Sequence, residues 1–258
     1  MNTMIQNSAA RRTASARTMT LVVGLMLASL AMAQPARAQA SGDRWQVTIA
    51  PYVWGAALDG TAMVKGTDAD VDVSRSDVFD HMDAAFMSTA LVRKGDWGLL
   101  ADAVWVELAV TSDMPPAEFD PTLGLFSLQG VRRINEFADV TAGVRWNHLK
   151  GQLDVKAPIA MEVERTRDWV DPIVGFTLRT PGAQRWHGTL IADVGGFGVG
   201  SDLSWEVFPS VGFDVTRQVS LEVGWRFLDT DYKTGEGADR FEYDMLLDGP
   251  ATGLAIKF

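Results

Sequence analysis

The chain has 258 residues, 47% of them hydrophobic and 22% charged, with no cysteine and a formal net charge of −10. The apolar content excludes wholesale disorder, and the missing thiols exclude disulfides, thiolate metal centres and a cysteine nucleophile. The negative balance lacks the basic footprint of a nucleic-acid binder, and one domain is the simplest organisation at this length.

Residues 1–40 carry Arg11, Arg12, Arg17 and Arg37 and no acidic residue, and an apolar run spans Met19 to Ala33. Small-x-small triplets follow at Ala36-Arg37-Ala38 and Ala38-Gln39-Ala40. This is the layout of a secretory signal peptide, and fifteen apolar residues are short for a membrane-spanning helix of roughly 20. The expectation is a removed leader over 1–40 and one domain over 41–258. Taking its four arginines from the 23 basic residues leaves 19 against 33 acidic ones, a mature net charge of −14.

Beyond residue 44 the apolar pattern has a period of two, the mark of strands with one greasy face. Val140, Ala142, Val144 and Trp146 alternate with Asp139, Thr141, Gly143, Arg145 and Asn147. Val170, Pro172, Val174, Phe176 and Leu178 alternate with Asp171, Ile173, Gly175, Thr177 and Arg179. Trp205 to Val215 and Val219 to Phe227 repeat the pattern. Tight polar links at Lys94-Gly95-Asp96, Asn135-Glu136, Pro181–Gln184 and Thr216–Gln218 read as hairpin turns. Between them lie long polar links, about 58–82, 111–122, 151–168 and 232–246, and one short link at Gly198–Asp202. The reading is all-β with about ten strands, eight being the alternative.

A soluble barrel turns its apolar face inward, whereas an outer-membrane barrel turns it toward lipid. Trp97 and Trp105 share a face eight residues apart, as do Trp205 and Phe213. At about 3.3 Å per residue and a tilt near 40° that spacing is roughly 20 Å, close to the height of an apolar band between aromatic girdles. The polar faces hold glycines that a solvated exterior would not favour, at 143, 175, 195, 212 and 224. They also hold seven acids (Asp102, Asp139, Asp171, Asp193, Glu206, Asp214, Glu222) and six bases (Arg93, Arg133, Arg145, Arg179, Arg226, Lys257). Charges this balanced suit an interior, where each must find a partner. The expectation is a closed antiparallel up-and-down transmembrane β-barrel in the cell outer membrane. Closure is required because lipid offers no partner to an edge strand. Both termini and the short turns are expected on the periplasmic side. The candidate lumen charges are Asp139, Arg145, Asp171, Arg179, Asp193, Glu206, Glu222 and Arg226.

The stretch Asp193-Val-Gly-Gly-Phe-Gly-Val-Gly-Ser-Asp202 followed by Trp205 resembles segments of small Gram-negative outer-membrane barrels of the OmpA-like superfamily. Gly224–Leu228 with Asp231-Tyr232, and Phe241–Asp244 with Gly249-Pro250, strengthen it. The terminal Gly253–Phe258, alternating apolar residues that end on an aromatic, is similar to the assembly signal of that class. The resemblance implies the barrel fold and an outer-membrane location. It transfers no catalytic residue, many members having no assigned activity. The partners expected are outer-membrane lipid, lipopolysaccharide and the barrel-assembly machinery during insertion.

The search for chemistry yields little. His187 falls on the inward phase and reads as a lumen residue, His148 on the lipid-facing phase as an interfacial one. His81 lies between Asp80 and Asp83, mildly suggestive of a cation or acid–base site. Asp68-x-Asp70-x-Asp72 opens like a calcium loop but has Val73 and Phe79 where that loop needs Gly and Glu. These acids read better as the solvated face of an extracellular hairpin. Gly195-Gly196-x-Gly198-x-Gly200 precedes no helix, so it reads as a tight strand connection rather than a phosphate cradle. No cofactor, metal or catalytic residue is expected. The expected role is structural or surface-interacting, with a filled, salt-bridged lumen. A narrow small-solute pore, or a lipid A-modifying or proteolytic enzyme, are the alternatives.

Overall fold

The computed structural model describes residues 44–64, 67–113, 116–155, 161–180, 185–237 and 240–258. The expected leader and the Pro181–Gln184 turn lie outside the described residues, as does the side chain of Asp68. The strands are β1 (Trp45–Trp54), β2 (Ala57–Val64), β3 (Thr67–Val73), β4 (Met82–Lys94), β5 (Trp97–Leu108), β6 (Val110–Asp113) and β7 (Pro116–Arg133). They continue as β8 (Ala138–Val155), β9 (Met161–Arg179), β10 (Trp186–Gly195), β11 (Leu203–Asp214), β12 (Val219–Thr234) and β13 (Phe241–Lys257), and one short helix, α1, spans Arg75–Asp80.

All described pairings are antiparallel, and the wall runs β1-β4-β5-β7-β8-β9-β10-β11-β12-β13 and back to β1. Ten strands therefore close a barrel. The seam pairs Thr48 with Lys257 and Trp54 with Ala251. Closure leaves the wall without an edge strand, the condition for crossing hydrocarbon.

In their described residues the long polar links of the sequence are mostly upward extensions of the strands. β2 continues β1 past Gly55 and Ala56, both pairing with β13 in one register, Trp54↔Ala251 and then Ala57↔Asp248. β6 continues β5 against β7 in the same manner. β8 and β9 pair from Ala138↔Leu178 up to Val155↔Met161. In these extensions the outward face becomes polar while apolar residues such as Leu58, Leu149 and Tyr232 gather on the inward face, so the lipid-facing phase ends and the segments read as links. On the first hairpin, eight residues (Ser74–His81) stand between β3 and β4 and fold into α1. Ser74 caps α1 and receives the Asp77 backbone N–H, while the Asp77 carboxylate accepts from the Ser74 N–H.

The β10–β11 connection is the low point of the wall. Gly196, Phe197 and Gly198 all adopt positive φ (85°, 52° and 74°), turning the chain within seven residues. Glycine meets that demand without strain, and Phe197 is the one residue that bears it.

Which face looks outward is settled by exposure. Val174, Val211 and Val223 are 48%, 50% and 51% exposed on the outer surface. Trp45, Trp97 and Trp186 are more exposed still, at 65%, 65% and 62%, and lie at the end of the wall holding the short turns and both strand termini. The Lys94 ammonium lies over Trp45 and the Arg132 guanidinium over Trp97, cations placed where the ring edge meets polar surroundings. Toward the tall-hairpin end, Phe86, Phe126 and Trp225 are exposed, and Trp105, His148 and Trp146 stack. An apolar band between aromatic girdles is the outer surface of a membrane barrel; a water-soluble protein rarely exposes so much contiguous apolar area. Leu254 and Phe258 face outward while Lys257 turns inward to Asp214 at 3.2 Å.

Candidate functional site

The lumen is built by the inward phase of all ten strands and falls into three zones along the axis. In the middle, Arg145 of β8 donates from Nη2 to Asp193 of β10 at 2.8 Å and to Glu206 of β11 at 2.7 Å. The same Glu206 Oε2 accepts from Arg226 of β12 at 3.0 Å. Arg226 then reaches Asp102 of β5 at 3.0 Å and the Tyr52 hydroxyl of β1 at 2.6 Å. Tyr52 in turn donates to Asp102 at 2.8 Å. Five charged groups thus form one connected bar across the barrel. Arg145 is 2% exposed and Arg226 is 5% exposed. Removing charges this far from water is expensive, and only multiple short hydrogen bonds to opposite charge make it tolerable.

Above the bar the inward phase turns apolar. The face of the Trp54 ring packs against the Arg226 guanidinium, 4.8 Å from it. Trp169 stacks on Tyr232 with centroids 4.1 Å apart, and Val104, Leu125, Leu228, Met245 and Leu247 complete a buried cluster. At its edge sits Asp171, fully buried. Its carboxylate accepts from the Ser201 N–H (2.6 Å) and hydroxyl (2.9 Å), from Asn147 (3.0 Å) and from the Trp169 indole (3.2 Å). Asp171 therefore anchors the β10–β11 turn inside the barrel without any cationic partner in that set.

Below the bar the lumen is hollow. A cavity of about 250 Å3 is bounded by Tyr52, Asp102, Glu206 and Arg226 at one end and by Arg93, Asp139 and Arg179 at the other. Arg93, Arg133 and Arg179 all converge on Asp139, whose side chain is 1% exposed. On the facing wall His187 pairs with Glu222 at 2.7 Å. Gly212 makes that pair possible, since a Cβ there would sit 2.1 Å from the imidazole.

The eight candidate lumen charges thus lie on the inward faces: Arg145, Asp193, Glu206 and Arg226 in the bar, Asp139 and Arg179 in the lower cluster, Glu222 with His187, and Asp171 apart. Sequence reasoning missed Tyr52, Asn147, Trp169 and Ser201 as their partners, because hydrogen bonds between distant strands leave no local signal.

The histidines sort by face. His148 is on the outer face, hydrogen-bonded from Nδ1 to Asp168 at 2.8 Å, its cross-strand neighbour. Asp168 is twenty residues away in the chain, so no local pattern connects the two. His81 ends α1, with its backbone N–H and ring Nδ1 directed to the Asp77 carbonyl, the ring at 2.8 Å. It is a helix cap. Asp70 and Asp72 are exposed on β3. Among the described residues, no group of three or more acids and histidines is placed to hold a metal ion.

No family model matches the chain, and no curated protein sequence does. Solved structures similar in fold include Ail, the attachment invasion locus protein of Yersinia pestis, at 10% identity and TM-score 0.42, covering 84% of this chain and 99% of that one. Neisserial surface protein A is similar at 13% identity and TM-score 0.32, covering 86% and 100%. The anion-selective porin of Comamonas acidovorans is similar at 6% identity and TM-score 0.28, covering 83% and 100%. These are likenesses of fold. The outer-membrane character of this chain rests on its own closed wall and apolar girdle.

Proposed function

We propose that this outer-membrane barrel is sealed, and that it serves the envelope as a structural or surface-interacting protein rather than as a channel. The observation that carries this reading is the bar from Arg145 through Glu206 and Arg226 to Asp102, with the Trp54–Trp169–Tyr232 cluster packed above it. Ten strands enclose far less space than the 16–18 of an open porin, so one bar and one aromatic layer are enough to close it. In the proposed orientation the short turns face the periplasm and the tall hairpins stand outside. Those hairpins carry an excess of acids, among them Asp70, Asp72, Asp77, Asp80 and Glu242. Such a rim suits contact with lipopolysaccharide phosphates through bridging divalent cations, or with a basic partner at the surface. Insertion would rely on the barrel-assembly machinery reading the terminal strand.

Conductance across a planar bilayer tests the seal. The purified barrel is expected to give no discrete steps, and an Arg145→Ala/Arg226→Ala pair to admit ions. Stable steps from the unaltered protein would overturn the reading and favour the narrow pore.

A further inference from the structure

We propose that the hollow below the bar is a binding site for a small neutral organic molecule, with a single-ring apolar body and a hydrogen-bonding head of the carboxamide or alcohol type, reached from the short-turn end.

The charges of the hollow are committed to one another. Five carboxylates and three guanidiniums line it, and each carboxylate has a partner. Arg226 joins Asp102 to Glu206, and Arg145 joins Glu206 to Asp193. Arg93 and Arg179 close on Asp139, and His187 holds Glu222. An anion would have to displace a carboxylate from its guanidinium, and a cation would have to displace a guanidinium from its carboxylate. Either exchange leaves a buried charge unpaired, which is costly.

What the lining leaves over is neutral. Gln129 of β7, Thr177 of β9 and Ser210 of β11 line the hollow, and all three are more than nine-tenths buried. None of these side chains has a hydrogen-bond partner among the described residues, and their polar atoms open onto the hollow rather than into packed protein. Gln129 has Gly143 as its β8 neighbour and Ser210 has Gly224 as its β12 neighbour, so on those sides no side chain covers them. Buried polar groups are rarely left without a partner, and an amide and two hydroxyls can all both donate and accept. Leu91, Leu100, Val131 and Ile191 supply apolar wall. A concave, mostly apolar pocket with a few polar groups is how proteins hold small organic ligands.

Size and access agree. A cavity of roughly 150 Å3 is enough for benzene. The space of about 250 Å3 therefore admits one ring with a polar substituent. The side chains of Arg179, His187 and Glu222 are 30%, 23% and 24% exposed, against 6% for Arg226 and 2% for Arg145. The hollow thus meets solvent at the short-turn end and is stopped by the bar at the other.

Fluorine NMR of the full barrel in micelles tests this, with 4-fluorobenzamide as the probe. Its anionic and cationic counterparts are 4-fluorobenzoate and 4-fluorobenzylammonium, and fluorobenzene is the same ring without a head. Empty micelles supply the background. The expected result is saturable binding of the benzamide, with both charged probes weaker by about tenfold or more. Gln129→Leu should weaken the benzamide by about threefold to tenfold, the range of one hydrogen bond, and leave fluorobenzene unchanged. Leu100→Trp should abolish binding of both by filling the hollow, whereas Leu128→Ala, on the outer face, should change neither. A charged probe that binds as tightly as the benzamide would overturn the proposal. So would indifference to both Gln129→Leu and Leu100→Trp, or no saturation above the micelle background, which would mean that the hollow holds water alone. The seal of the lumen is read separately by conductance, so either result can fail without the other.

Discussion

Arg226 on β12 and Asp102 on β5 lie four strands apart around the wall, yet their side chains meet at 3.0 Å across the lumen. No local pattern in the sequence connects them; only closure of the barrel does. Because Arg226 also holds Glu206, its loss leaves Glu206 to Arg145 alone and Asp102 to the hydroxyls of Tyr52 and Thr89, with no cation on Asp102. Arg226→Leu is therefore expected to cost about 3–5 kcal/mol, as removal of one member of a buried pair does. Adding Asp102→Leu should cost less than the sum of the two single changes. Urea unfolding in lipid vesicles, followed by tryptophan fluorescence, measures both, and strict additivity would show that the two groups do not interact.

The apolar layer above the bar makes a separate demand. Leu228 is 1% exposed on the inward face of β12, packed in the cluster that holds Trp54 and Met245. Leu228→Ala is expected to destabilise the barrel by about 2–4 kcal/mol, the transfer term plus the void it leaves. The same unfolding assay reads it. A change below 0.5 kcal/mol, on the scale of an ordinary surface substitution, would mean that the upper lumen is not packed.

The barrel and its polarity were legible because one face of each strand had to be greasy and the other could not be. The alternation from Val219 to Phe227 fixes both the strand and its orientation, and exposure of Val223 beside burial of Arg226 follows from it. What stayed hidden is of two kinds. Above the girdle the outward face turns polar and apolar residues such as Leu149 and Tyr232 move to the inward face, so the phase that marks a lipid-facing strand ends and the extensions read as loops. Inside, parity places Asp171 in the lumen but cannot say that Ser201 and Asn147 will reach it. The same limit left His148 without its partner Asp168, which stands opposite on the neighbouring strand.

Lipid contact at the waist is tested directly at Val223, half-exposed as the fifth residue of β12. Val223→Arg is expected to cost about 2–4 kcal/mol in vesicles, as an arginine near the bilayer midplane does. In a water-filled setting the same change would be close to neutral. Trp97→Arg, at the girdle, should cost at most about 1 kcal/mol. If both substitutions are equally mild, the apolar band does not face hydrocarbon.

The α1 insertion offers a pH-dependent readout outside the membrane span. Hydrogen bonds from the Ser74 hydroxyl and backbone hold the Asp77 carboxyl below its ordinary 3.8. A carboxyl whose folded value is depressed contributes stability above the unfolded value, and that contribution is lost as pH falls through the folded one. The N-terminal cap of α1 should therefore persist down to pH 3.8 and loosen below it. Ser74→Ala should return the Asp77 titration toward 3.8, as followed by carbon-detected NMR of its side chain. An unshifted titration in that variant would show that the cap is not formed.

His148 gives the last test, because a histidine bonded to an acid on a lipid-facing surface is also what a lipid-modifying enzyme would need. Hydrolysis or acyl transfer requires that base to reach a nucleophile or a water beside the scissile bond. The ring is instead stacked face to face with Trp105, at 5.3 Å and 16°, and tilted against Trp146 at 5.5 Å. Those contacts make it part of the aromatic girdle, with Asp168 fixing the ring orientation. His148→Ala is expected to weaken the barrel by about 1 kcal/mol, the scale of one aromatic pair. The lipid A mass profile of cells producing either form should match that of cells lacking the protein. A mass shift that appears with the unaltered protein and vanishes in His148→Ala would replace the structural reading with an enzymatic one.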